Sequence, residues 1–423
     1  MTAISSDTIR AFDLTCPPAA FITDPFSYYA AMLEHAPVLK QPDGSYILSR
    51  YDDLDAVYRD TEHFSSDKKS TFGPKYGIES PLFEHHTTSL VFNDPPLHTR
   101  VRKVMVGALN ARAIAAMEPG LVATIDHLLD AMAGRESVDL ITDFASRIPI
   151  QIIGNLFDMP MEERDPLRDW SLAILGALEP SLTAEQEQCG NNAVRDFKAY
   201  LKDLVARRRA NMGNPETDVL TRLILAEGDE LSELELLQNC IFILNAGHET
   251  TTNLIGNALA ALQAFPDQKQ VLLENPDLIH TAVDEFLRFL SPNQFGNRLT
   301  TCEVEFCGTT IPADTNLHLC IGAANRDPAV FTDPDRLDLA RKPNKHLAFA
   351  GGPHLCVGFQ LARMEGRIAI SRFLKRYPGY RLLDGARLEG RIRFRGYAAL
   401  PAALSMDREE AGPDVRPDTG TAA

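Results

Sequence analysis

Residues 349–358 read Phe349-Ala350-Gly351-Gly352-Pro353-His354-Leu355-Cys356-Val357-Gly358. One cysteine lies in a glycine-rich loop, with a basic residue two positions before it and an amphipathic helical pattern after it. A thiolate in this setting can hold a metal through a single protein bond. Gly352 and Gly358 allow the backbone to pass close under a flat cofactor. The helix that follows would aim its free N–H groups at the sulfur, which favours the anion.

The longest helical pattern covers residues 231–265. Ser232 and Glu235 form a capping box. Leu236, Leu237, Cys240, Ile241 and Leu244 recur at helical spacing, and Pro266 ends the run. Midway stands Ala246-Gly247-His248-Glu249-Thr250-Thr251. Glycine costs about 1 kcal/mol inside a helix, and β-branched threonine is also a poor choice there. A helix that accepts both trades stability for something else. Without a Cβ at Gly247 a ligand can approach the backbone, and a threonine hydroxyl can bond back to the i−4 carbonyl. The pair His248-Glu249 could open a zinc-protease helix, but that motif needs histidine at position 252, which is Thr252.

Two more helices are predicted, one from Asn275-Pro276 to just before Pro292 and one from about Gly358 to Arg376. Strands are expected at Leu299–Phe306, Thr315–Cys320 and Tyr46–Ser49. Ser65 to Pro96 shows no sustained period and reads as a long loop, often a lid. The pattern is mainly α with small β-sheets. Domain limits are expected at 20–406, after an N-terminal segment of residues 1–19 and before a disordered acidic tail at 407–423.

Composition narrows the function. The formal charge is 42 minus 58, or −16. Such a surface disfavours nucleic acid and anionic membrane. The seven cysteines are irregularly spaced, which suits reduced thiols and a cytoplasmic location. The first twenty residues include Asp7, Arg10 and Asp13 without an apolar core, so neither signal peptide nor membrane anchor is expected.

The cysteine loop resembles the haem-ligand loop of the cytochrome P-450 family, Phe-x-x-Gly-x-(His/Arg)-x-Cys-x-Gly, at every defining position from Phe349 to Gly358. The long helix resembles that family's oxygen-activating segment, (Ala/Gly)-Gly-x-(Asp/Glu)-Thr-(Thr/Ser). Glu285-Phe286-Leu287-Arg288 is similar to its Glu-x-x-Arg helix. Asp94-Pro95-Pro96-Leu97-His98, with Arg102 four residues on, is similar to its propionate-binding segment. The resemblance implies a triangular, helix-rich single domain that binds haem b and uses dioxygen as cosubstrate. It implies that Cys356 ligates the iron, which tunes electron density for O–O cleavage. It assigns Thr250 to hydrogen-bond dioxygen and Glu249 to bring protons from solvent. His98, Arg102, Arg298 and His354 would hold the propionates. Arg336 would join Glu285 and Arg288 in a buried structural network. The substrate pocket would draw on Leu244, Asn245, Ala246, Asn293, Gly296 and the Ser65–Pro96 loop, with His85, His86 and Gln294 as further polar candidates. Ala350 departs from the glycine often found there.

The function implied is a soluble, bacterial-type monooxygenase. It would hydroxylate or dealkylate a small organic molecule as a monomer, with electrons from NAD(P)H through a separate ferredoxin and its reductase. A peroxide-driven enzyme ranks lower because the pair Glu249-Thr250 is intact, a haem-binding sensor because it would not need that pair, and a cysteine hydrolase built on Cys356 because His354 is two residues away along the same loop. Arg100, Lys103, Arg112, Arg363 and Arg367 are expected to form a local basic patch that steers an acidic ferredoxin.

Overall fold

The computed structural model describes residues 4–216 and 218–404. The expected tail at 407–423 lies outside the described residues. Helices dominate, with small sheets between them.

The helix Glu233–Ala264 is the centre of the molecule. Ser232 accepts the Glu235 N–H, and the Glu235 carboxylate accepts the Ser232 N–H, so two orphan donors are satisfied. Apolar residues occupy almost every side of this helix, which places it inside the protein. It packs against the helices Arg147–Leu156, Leu167–Gly176, Ala184–Ala210 and Phe359–Arg376. Pro266 ends it and serves as the first residue of the helix Pro266–Glu274.

The largest sheet orders its strands Val38–Lys40, Tyr46–Leu48, Asn316–Cys320, Phe295–Thr300 and Phe64–Ser65. Tyr46 lies opposite Leu317 in the parallel pair, and Phe295 opposite Cys320 in an antiparallel one. The stretch Leu299–Phe306, expected as one strand, divides. Its first part ends the strand Phe295–Thr300, and Val304–Phe306 forms a hairpin with Thr309–Ile311. Cys307 and Gly308 turn that hairpin at φ 50° and 73°, the left-handed pair that a tight antiparallel turn requires.

Ser65–Pro96 is also not a bare loop. It holds the helices Lys69–Tyr76 and Pro81–Thr88. Pro81 takes a first-turn position and Ser80 caps the Phe83 N–H. Each helix has only two turns, too few for a 3.6-residue period to emerge. Upstream of residue 20, Ile9, Phe12 and Leu14 are buried in one apolar cluster with Phe21 and Tyr28.

The helix Ile279–Phe289 carries the buried ionic network. Arg288 grips Glu285 through two bonds, Nε to Oε2 at 2.7 Å and an Nη to Oε1 at 2.8 Å. The remaining Arg288 donors reach the carbonyls of Asn325, Pro334 and Arg336. The third side chain is Arg341 and not Arg336: its Nε lies 3.1 Å from Glu285 Oε2. Arg336 is exposed and contributes only its carbonyl, which Arg341 also engages. The turn after Asp333, at φ 46°, directs the Arg336 side chain outward and returns Arg341 to the carboxylate.

These placements separate two arginines five residues apart. Arg341→Ala strips one guanidinium from a fully buried carboxylate and is expected to cost about 3 kcal/mol or more. Arg336→Ala keeps the carbonyl and should stay within about 0.5 kcal/mol of the parent. Equilibrium denaturation of both variants decides this; equal losses would restore Arg336 to the network.

Candidate functional site

The cysteine loop is held by backbone contacts. The Cys356 N–H donates to the Phe349 carbonyl at 3.0 Å, closing the loop on itself. Ala350 sits at φ 57°, a conformation that favours glycine and strains alanine. Gly352 also has positive φ, +59°, and an added Cβ would meet the Tyr58 carbonyl oxygen at 2.2 Å. The helix Tyr51–Arg59 therefore requires glycine here, a stricter demand than approach to a flat cofactor. At Gly358 the space is open. The helix Phe359–Arg376 begins directly after it.

Cys356 is open to solvent on one side yet set deep among protein atoms. That setting raises its thiol pKa, while the Gly358 N–H, Arg102 and Arg363 act in the opposite sense. Among the described residues no group of three His, Cys, Asp or Glu converges on a metal position. Any metal here would be held by Cys356 alone among protein ligands. Arg363 lies 4.8 Å from the Phe349 ring centre and bonds Asp284 at 2.7 Å, fixing the loop to the helix Ile279–Phe289.

Four basic groups converge near this loop. The rings of His98 and His354 stack at 3.8 Å. His354 Nε2 meets Ser66 Oγ at 3.1 Å. Arg102 bonds the Leu355 carbonyl at 2.6 Å, and Arg298 lies over the Tyr58 ring at 5.2 Å. Burial, then Arg298, His98 and Arg102, push His354 down to about 2. Burial and the two arginines push His98 down to about 4. His98 Nε2 and one Arg298 Nη are buried without a partner among the described residues. Asp94 is the carboxylate felt by His98 and Arg298, and it already accepts from Ser65 Oγ and the Ser66 N–H. Two unpaired donors and unbalanced positive charge fit a dianionic group such as the two propionates of haem.

On the long helix, Thr250 Oγ1 donates to the Ala246 carbonyl at 2.8 Å. Thr251 and Thr252 are buried while Thr250 is only partly so, which singles out its hydroxyl. Gly247 has a packing reason: an added Cβ would meet Ile153 Cδ1 at 2.9 Å. The missing Cβ thus admits the helix Arg147–Leu156 at this point. Glu249 is buried and paired with Arg391, at 2.7 and 2.8 Å from one Nη. Burial raises the Glu249 pKa; Arg391 opposes this, and Glu389 and Glu179 reinforce it. A surface cavity of about 610 Å³, lined in part by Glu179, Glu389 and Arg391, reaches the Arg391 side of this pair. Arg391 lies 142 residues from its partner, and sequence spacing carried no sign of it.

The substrate-side candidates scatter. Leu244 belongs to the main apolar core. Ala246 is partly buried and gives its carbonyl to Thr250. Gly296 packs on Tyr58, where a Cβ would meet the hydroxyl at 2.4 Å. Gln294 bonds Tyr29 at 2.8 Å, and His85 bonds Gln238 at 2.8 Å. Asn293 Oδ1, His86 Nε2 and both amide atoms of Asn245 are buried without partners among the described residues. The expected basic patch is largely neutralised. Arg100 pairs with Glu235, Lys103 with Glu230, Arg112 with Glu216 and Arg363 with Asp284. Arg367 contacts His280.

A family model described as Cytochrome P450 matches residues 38–378. The chain is 34% identical to the "Biotin biosynthesis cytochrome P450" of Bacillus subtilis (strain 168), over 91% of this chain and 97% of that one. It is 36% identical to the "Vitamin D(3) 25-hydroxylase" of Pseudonocardia autotrophica, over 91% and 94%. Among solved structures, P450BioI in complex with a hexadec-9Z-enoic acid ligated acyl carrier protein superposes with a TM-score of 0.86. That match has 33% identity and covers 91% of this chain and all of the other.

Arg391 and Glu249 generate a pH test. An ionised Glu249 has no proton to pass on, so turnover should fall as pH rises through its pKa. Arg391→Gln removes the cation that lowers this pKa and should move the falling limb to higher pH. Glu249→Gln should lower the rate and abolish the limb. Turnover measured across pH at saturating electron donor checks this; identical profiles in parent and Arg391→Gln would exclude the linkage.

Proposed function

The chain belongs to the cytochrome P450 family of monooxygenases, which use haem b and dioxygen, and on that premise we propose that it oxidises a small organic substrate by hydroxylation or dealkylation. A reductase and a separate ferredoxin supply electrons from NAD(P)H, as is typical of the bacterial relatives. The observation that carries this reading is the pair of buried, unpartnered nitrogens, His98 Nε2 and one Arg298 Nη, beside the cysteine loop.

Haem, when bound, supplies dioxygen activation. Cys356 is the ligand, set at the head of a helix whose N-terminal dipole and Gly358 N–H favour the thiolate. His98, Arg102, Arg298 and His354 hold the propionates. Neutralising that cluster also lifts an electrostatic cost from the fold, so haem loading and stability rise together.

Thr250 and Glu249 handle protons. The Thr250 hydroxyl spends its own proton on Ala246, so its lone pairs face outward as acceptors and it can donate after a rotation. Glu249 takes protons from the solvent cavity beside Arg391 and passes them toward Thr250. Its raised pKa suits that work near neutrality. The buried, unpartnered amide of Asn245, with Asn293 and His86, supports a substrate that carries polar groups.

The reduced carbon monoxide complex should show the red-shifted Soret band of thiolate ligation, and Cys356→His should lose it even if haem is retained. A band unchanged in that variant would remove Cys356 as the ligand. Thr250→Ala should bind haem and substrate nearly as the parent does, yet divert most reducing equivalents to peroxide. Peroxide and product measured per NAD(P)H consumed check it; full coupling would exclude Thr250 from proton delivery.

A further inference from the structure

The carboxylate of Glu249 is shut off from the solvent that its role requires. Its side chain is 1% exposed, against 19% for Arg391 and 13% for Glu389. One Arg391 Nη lies 2.7 and 2.8 Å from the two Glu249 oxygens, so a single nitrogen caps both. The cavity of about 610 Å³ is walled by Arg391, Glu389 and Glu179 among others, and Glu249 is not part of that wall. A proton that enters there meets the guanidinium first. A carboxylate held by a cation keeps its charge and carries no proton. Delivery toward Thr250 therefore needs Arg391 to withdraw, and a largely buried guanidinium withdraws only toward another anion.

Glu389 stands where that anion is needed. Its Oε2 lies 3.5 Å from Arg391 Nε, within ion-pair range. The same oxygen is buried and makes no hydrogen bond among the described residues. A hydrogen bond between such atoms spans about 2.9–3.0 Å, so a shift of roughly 0.5 Å would form it. The remaining tie of the guanidinium is weak, an Nη that reaches the Leu172 carbonyl at 3.4 Å. Gly176 leaves it room, since an added Cβ would touch that Nη at 3.7 Å.

The backbone around the two side chains is fixed. Gly390 turns the chain between them at φ 74°. The Glu389 N–H donates to the Gly396 carbonyl at 3.1 Å. The N–H groups of Ile392 and Arg393 donate to the Glu179 carboxylate at 2.9 and 3.2 Å. Glu179 is thereby engaged, and Glu185, also in the cavity wall, is exposed. Glu389 is the acceptor left for Arg391.

We propose that Arg391 moves between two carboxylates, Glu249 inside and Glu389 at the cavity, and that Glu389 is the positioning residue that lets Glu249 take up its proton. This rests on the monooxygenase reading above and names a control on the same site. One cation serves two acids. With the guanidinium on Glu389, Glu249 is buried without a counter-ion and binds one proton from the cavity. Once that proton has passed toward Thr250, Glu249 is an anion again and draws Arg391 back. Each cycle carries one proton inward and returns the arginine to its starting place, so charge balances. Burial raises the Glu249 pKa, Arg391 lowers it, and Glu389 and Glu179 raise it, which are the signs the exchange requires.

The haem-loaded, full-length protein is titrated across pH while infrared difference spectroscopy follows the C=O stretch of protonated carboxyl groups. The Glu249 band is the one that Glu249→Gln removes. Glu389→Gln should lower its apparent pKa by about one unit, because Arg391 then has no outer partner and stays on Glu249. Arg391→Gln should raise it. Added to Arg391→Gln, Glu389→Gln should move it by less than about half as much as in the parent. Glu185→Gln removes a charge from the same cavity and should move it by less than about 0.3 unit. No shift in Glu389→Gln overturns the proposal. So does an equal shift with and without Arg391, which makes Glu389 a distant charge and not a partner. A Glu185→Gln shift as large as that of Glu389→Gln has the same force, and so does a parent from which Glu249→Gln removes no band. The reduced carbon monoxide spectrum is recorded alongside. A parent without the thiolate band overturns the monooxygenase reading instead, and the infrared comparison then still decides the exchange.

Discussion

The carboxylate of Glu285 is shut away from water, and most of the region before the cysteine loop is organised by the need to satisfy it. Arg288, Arg341, the Asp338 N–H and Asn344 all donate to its two oxygens. An isolated buried carboxylate would be intolerable, and its cost falls only when every partner arrives in place. Those partners span residues 288–344, so the ion pair draws the strands, the Asn325 turn and the irregular segment after it into one arrangement. Asn325 extends the order by accepting the Leu347 N–H at 2.7 Å. Two residues later the loop that carries Cys356 begins. The chemistry at the sulfur is thus positioned by electrostatics some distance away.

A second theme is positive charge left without a partner. Around Arg102 and Arg298 the surplus matches a dianionic cofactor, and Arg393 keeps a buried Nε without a partner among the described residues. Elsewhere the protein pairs its charges with care, as in the bidentate Arg100–Glu235 contact or Arg208 with Asp218. A chain with net charge −16 has carboxylates to spare, yet it places few of them at these two points. Exposed pairs contribute little to stability, so the contrast carries information about binding more than about folding.

Local chemistry was legible in the sequence, and distant pairing was not. The capping box at Ser232, the proline ends of the long helices and the i, i+3 relation of Glu285 and Arg288 all act within one or two turns. The choice between Arg336 and Arg341 was not readable, because it depends on a left-handed turn at Asp333. Arg391 could not be found because its tie to Glu249 closes only in the tertiary fold. The helices inside Ser65–Pro96 were hidden by their shortness. Arg100, Lys103 and Arg112 looked like a free patch because their acids stand more than a hundred residues away, at Glu235, Glu230 and Glu216. Gly247 was seen as special, and its close approach to Ile153 adds a packing reason that no local spacing could show.

The comb of arginines at 391, 393 and 395 also sets an order of events during synthesis. Each closes a contact with residues made much earlier: Glu249, Glu179, and the carbonyls of Ile22 and Thr23. A ribosome adds about 5–20 residues per second, so Glu249 waits roughly 7 to 30 s for the Arg391 that lies 142 residues behind it. Over that interval the nascent chain holds Glu249 without its counter-ion and the N-terminal cluster without its last brace. The site is therefore completed only once residues 391–395 emerge and lay themselves back across chain made long before them.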